Sequence, residues 1–148
     1  MLVKKSALSL KDFFLLNQNI RFNQPDDSNS SAIISEITDQ YQINLDFSLN
    51  KEDNTLFQMF VKVEINLGES KLPGYSIFCE GVGIFDFNES QVKSENDKVS
   101  LLYVSGLSIC INSLRSIIAG VTSHCPFGKY TFPSIDVNQL LKDKNVFK

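Results

Sequence analysis

His124-Cys125 is the one place where a thiol and a base lie side by side in this 148-residue chain. A cysteine nucleophile needs a base within hydrogen-bond reach and a third group that orients the base. Neighbouring residues rarely turn both side chains to one substrate, and no carboxylate lies close in the chain. The pair reads instead as a helix C-terminus, with His124 facing the last carbonyls. Cys79, Cys110 and Cys125 show no metal-ligand spacing, and with a single histidine they do not compose a zinc site. Gly81-Val82-Gly83 lacks the third glycine and the helix start of a dinucleotide loop, so it reads as a strand kink. No carboxylate pair stands apart from the solvated ones. The sequence predicts neither an enzyme nor a bound metal or cofactor.

Arg115 is more informative, because it is the only full charge between residues 101 and 123. Its stem could lie on apolar surface with the head in water. The breadth of the surrounding apolar stripe favours the other reading, a buried ion pair or carbonyl cap at a subunit boundary. The aromatic residues form the second set: twelve phenylalanines, against no tryptophan, must fill a core, an interface or an apolar binding surface. Tyr75, Phe78, Phe85 and Phe87 fall on one expected strand. Phe127, Tyr130 and Phe132 follow the helical stretch in a segment containing Pro and Gly. With Leu102, Tyr103 and Leu140 they are the candidates to line a groove for extended apolar peptides, between a sheet edge and the last helix.

The elements that would hold these residues follow from periodicity. Residues 41–50 alternate strictly, with Tyr41, Ile43, Leu45, Phe47 and Leu49 on one face. A polar turn over 51–54 leads to a second alternating run, 56–67, in which Phe60 alone breaks phase. Together they predict an antiparallel hairpin. Residues 75–87 predict a third strand, and 14–23 an earlier one with Phe14, Leu16, Ile20 and Phe22 on one face. Residues 24–31 read as a polar loop, and 89–100 as a mobile polar crossover.

From 101 to 123 the spacing turns helical, with Val104, Leu107, Ile111, Leu114, Ile118 and Val121 near one face, and Gly106 as a possible break. Central Arg115 and the many serines argue against a membrane span. A helix this broadly apolar is explained by burial on two sides, one being the sheet and the other a second subunit. Ile111, Leu114, Arg115, Ile118 and Val121 are therefore the expected oligomer interface. Asp136 caps a short last helix that runs to about Lys144.

The expected architecture is α+β: a four-stranded antiparallel sheet with one long and one short C-terminal helix packed on one side. It forms a single domain over 1–148, with the sheet in 13–88, the crossover in 89–100 and the helical part in 101–144. The net charge of −3 and only two arginines exclude the basic stripe that nucleic-acid binding requires. The first sixteen residues lack the apolar run of a signal peptide, and an odd count of three cysteines does not suit a disulfide framework. A cytoplasmic setting is the expectation.

The order of these features resembles the SecB protein-export chaperone family. The matching residues are the 41–67 hairpin, Leu67-Gly68-Glu69, Gly81-Val82-Gly83-Ile84-Phe85, Arg115, Pro126-Phe127-Gly128, Phe132-Pro133-Ser134-Ile135 and the helix opening at Asp136. The resemblance covers roughly residues 13–142. It implies a cofactor-free holdase that keeps unfolded precursor polypeptides in apolar grooves, forms a dimer of dimers through its long helices, and hands clients to the SecA motor. SecA docking is attributed in that family to acidic sheet surface, which points here to Asp46, Glu64 and Glu80. The family's well-known members carry an acidic C-terminal tail, whereas this sequence closes Lys142-Asp143-Lys144-Asn145-Val146-Phe147-Lys148. The alternative is a SecB-like adaptor or chaperone dedicated to one partner, such as an antitoxin.

Overall fold

A computed structural model describes residues 1–25, 31–53, 55–92 and 94–147. Strand β1 (Leu8–Asn23) is followed by a short helix α1 (Ser31–Ile37) and one 3-10 turn. Strands β2 (Ile43–Lys51), β3 (Phe57–Ile65) and β4 (Gly74–Phe87) come next. Helix α2 (Glu95–Leu101), a π-turn over Leu102–Gly106 and helix α3 (Leu107–Thr122) form one continuous rod, and helix α4 (Val137–Asp143) closes the chain. All strand pairs are antiparallel in the order β1-β4-β3-β2, so β1 and β2 are the two edges.

Alternation determines which face is buried. Phe57, Met59, Val61, Val63 and Ile65 of β3 and Tyr75, Ile77, Cys79 and Phe85 of β4 all turn to the helix side. Leu107, Cys110, Ile111, Leu114 and Ile118 of α3 close over them. The helix comes this near because Gly83 has no side chain: a Cβ there would lie 2.6 Å from Cys110 Sγ. The β2–β3 turn is held by Asp53, whose carboxylate accepts from the amides of Thr55 and Leu56. Asn54 in that turn, and most of the 24–31 polar loop, lie outside the described residues.

The expected sheet, long helix and short last helix are present. Several details differ. β1 begins at Leu8, six residues before the alternation in 14–23 would start it, because pairing with β4 extends the strand beyond its own apolar pattern. Register shifts at Leu10/Asp12 and Leu15/Asn17 then separate residues expected to share a face. Ile20 and Phe22 lie opposite Ile77 and Tyr75 on the helix side, while Phe14 lies opposite Val82 on the open face. The polar crossover is not uniformly irregular: α2 forms in it, opened by Glu95 and Asp97 in the first turn. Lys98, buried in that helix, pairs with Glu89 at 2.8 Å and with Glu95 at 3.7 Å. Gly106 does not break the rod. The wider π-turn ending there rotates Val104 off the buried stripe, and Val104 is exposed.

Candidate peptide-binding site

After α3 the chain crosses the end of the sheet as a strap, residues 125–135, which opens with a turn closed by the Gly128 amide on the Cys125 carbonyl. Gly128 takes a positive φ of 78°, and its carbonyl accepts the Tyr75 hydroxyl at 2.7 Å. The same hydroxyl accepts from the Phe127 amide at 3.0 Å. Thr122 Oγ1 takes the Tyr130 amide at 2.8 Å, and Arg115 binds the carbonyls of Phe132 through Nε and Pro133 through Nη2, each at 3.0 Å. Arg115 Nη1 also donates to Asn112, and its guanidinium lies 5.6 Å from the Phe132 ring centroid. Arg115 is thus a carbonyl cap within one protomer that fastens the strap to α3.

The strap spans from one edge of the sheet to the other. At the β1 end Phe127 packs on Phe22 and Tyr75. At the β2 end Tyr130 packs on Tyr41 with centroids 5.8 Å apart. Tyr41 is fixed in turn, donating to the Pro73 carbonyl and accepting from the Tyr75 amide. Burial raises both phenols above their usual pKa, Tyr130 to about 12, so they act only as neutral groups. Between strap and sheet lies a depression of about 250 Å³ lined by Tyr41, Ile43, Tyr130 and Pro133, with Asp39 and Lys129 contributing charge. Thr38 and Thr131 complete the lining, and a depression of such mixed polarity suits a side chain of an extended peptide.

Two further apolar surfaces lie at the two edges of the sheet. On the β2 side the rings of Phe47, Tyr103 and Phe147 form a ladder with centroid spacings of 6.0 and 6.1 Å. On the β1 side Leu10, Phe14, Leu15, Leu16 and Phe22 are exposed along the edge strand, with Phe14 and Leu16 about half accessible (50% and 51%). The Phe14 side continues onto the open sheet face through Val82 and Phe60.

The expected groove residues divide three ways. Tyr103, Phe127 and Leu140 are half-buried at the surface and remain candidates. Tyr75, Phe85, Phe87, Leu102, Tyr130 and Phe132 are buried, so they support the groove from within and expose little to a ligand. Phe78 faces away, opposite Glu64 and Asn19 on the open side of the sheet. The expected interface residues divide in the same way. Ile111, Leu114 and Ile118 point into the protomer's own core, whereas Val121 is exposed. Asp46, Glu64 and Glu80 do share the open face, but Lys62 bridges Glu64 at 3.7 Å and Lys144 binds Asp46. Residue type alone does not tell a lining ring from a supporting one. The missed residues, Phe14-Leu15-Leu16, had a signal: three consecutive apolar residues in a strand must place at least one outside.

Nucleophilic chemistry finds no support at the cysteines. Burial pushes the thiols of Cys79 to about 11 and Cys110 to about 12, keeping both protonated. Cys125 donates to the Val121 carbonyl, and His124 is exposed beyond the helix end.

No protein-family model and no curated protein matches the sequence. Among solved structures, a Mycobacterium tuberculosis SecB-like chaperone, in complex with a ChAD peptide from the HigA1 antitoxin, is similar with a TM-score of 0.63. Sequence identity is 10%, over 88% of this chain and 91% of that one. A protein of unknown function from Streptococcus agalactiae matches with a TM-score of 0.45 and 10% identity, over 86% of this chain and 97% of that one. The chain thus has the fold of a SecB-like chaperone, as its resemblance to that family implies.

Proposed function

We propose that the protein is an ATP-independent holdase that binds unfolded or precursor polypeptides in extended form. The observation that carries this reading is the pinned strap, which leaves a depression of mixed polarity at the β2 end of the sheet and a half-buried ring, Phe127, at the β1 end. Its walls are preorganised, so a client segment orders itself without ordering the site. The reading also places the protein in the cytoplasm, as a homotetramer built from dimers.

Assembly would use surfaces the protomer leaves uncovered: the β1 edge, and the face of the long helix bearing Asn112, Ser116 and Gly120. That helix, Glu95–Thr122, is long and apolar enough to cross a membrane by composition, but its sheet-facing side already forms the core. Packing against a second copy accounts for the remainder. Transfer to SecA through Asp46, Glu64 and Glu80 belongs to the same proposal; pairing of Asp46 and Glu64 with lysines weakens the acidic patch such docking would use.

A second reading, an adaptor serving one partner, is favoured by the antitoxin peptide bound to the Mycobacterium chaperone. Two measurements separate the readings. Stoichiometric protein should suppress aggregation of a reduced, unfolded client, and capture from lysate should recover many clients. Unchanged aggregation with a single recovered partner would replace the holdase by the adaptor.

A further inference from the structure

The segment after α4 sits on β2 as a ligand would. Lys144 caps the helix, Asn145 turns with a φ of 55°, and the Val146 amide returns to the Leu141 carbonyl. With Asn145 N–H bonded to the Lys142 carbonyl, these bonds make a Schellman stop, which fixes the direction of the last residues. It brings Lys144 Nζ onto the Phe47 carbonyl and the Asp46 carboxylate, 4.5 Å from the Phe47 ring centroid. It also lays the Phe147 ring edge-on to Tyr103 at 6.1 Å. The Phe47 carbonyl belongs to an edge strand, where such groups otherwise stay open to pairing with another chain. One cation therefore meets an edge carbonyl, a carboxylate and a ring face, and three residues later an aromatic side chain completes the ladder.

We infer that Lys144-Asn145-Val146-Phe147 is an internal occupant of a peptide-docking site on β2, and that the site takes a turned segment carrying a cation three residues before an aromatic. Asp46 supplies the charge complement and Tyr103 the aromatic seat. An arriving segment of this kind displaces the chain's own. The inference adds a subsite and its regulation to the holdase reading, and its core test does not depend on that reading.

The core test uses a chain ending at Asp143 and a synthetic peptide of residues 144–148, Lys-Asn-Val-Phe-Lys. At millimolar peptide, NMR shifts at Phe47 and Tyr103 should appear with the shortened chain and be much smaller with the full one. If the docked state is about 90% populated, apparent client affinity should rise about tenfold on shortening. Because shortening could fray α4, the full-length double variant Lys144→Glu, Phe147→Ser should reproduce both changes. Equal peptide shifts in all forms, or none, would overturn the inference. Peptide binding without client holding by any form would sink the holdase reading and leave this one standing.

Discussion

β1 and β2 flank the same sheet, yet the protomer covers one and leaves the other bare. β2 is nine residues long, with Asn44, Asp46, Ser48 and Asn50 turned out, and it is fastened by Lys144 at Asp46 and by the Lys51–Glu95 pair at 3.1 Å. β1 is sixteen residues long and exposes Phe14, Leu15, Leu16 and Phe22, with two bulges as its only local interruption. Edge strands normally defend themselves with charge, brevity or cover. β2 has all three, whereas β1 is long and uncovered and has its bulges and the charges of Lys11, Asp12 and Arg21. On the proposals above the two edges serve two partners: another copy on β1, and a passing peptide on β2.

The largest expected effect comes from undoing the strap that reaches β2. Phe132 is almost fully buried, and its carbonyl is held by Arg115. Phe132→Ala should cost about 3–5 kcal/mol in urea unfolding, since it leaves a cavity beneath the Arg115 guanidinium. A loss below about 1 kcal/mol would show that the strap is not part of the folded unit.

The matching break at β1 is Gly81→Val. A Cβ at Gly81 would stand 2.5 Å from the Phe13 ring and 3.0 Å from the Phe14 carbonyl, so the added bulk pushes directly on the edge strand. Overpacking should destabilise by about 1–3 kcal/mol, with amide exchange rising in β1 ahead of β2. Uniform exchange across both edges would dissolve the distinction between them.

The distinction is sharpened by substitutions that leave the protomer intact. Leu16→Ser combined with Phe14→Ser removes only exposed apolar surface, so stability should move by no more than about 0.5 kcal/mol per site. Mass by light scattering should nevertheless fall to a smaller species. An unchanged mass would mean that assembly does not use β1.

What was legible beforehand divides along the same line. The β2–β3 hairpin could be read because every second residue is apolar and one face is buried, which specifies register strongly. β1 could be read only in part: two bulges turn Phe14 away from Ile20 and Phe22, and a fixed period cannot show a bulge. The broad stripe of α3 correctly implied burial, yet not which residues face the sheet, since Leu114 and Val121 are equally apolar in composition. The β2 subsite was the least legible. Asp46 and Lys144 are 98 residues apart, and only the folded chain brings them together.

The smallest effect concerns the fastening on β2 itself. The hydrogen bond from Lys144 holds the Asp46 carboxyl below the usual carboxylate range, with the adjoining Phe47 amide and the nearby lysine charges assisting. A depressed pKa means the contact is fully supported above the ordinary carboxylate range and is lost as pH falls through the lowered value. Asp46 is largely exposed, so solvent screens the pair and the change is modest. The Phe147–Tyr103 contact, followed by ring-proton NMR, should be constant near neutrality and loosen only in acid. Asp46→Asn should loosen it at every pH and remove the acid dependence. If the contact in the parent chain ignored acid altogether, the cation would be held by the Phe47 carbonyl and ring alone, and β2 would select its peptide by shape rather than by charge.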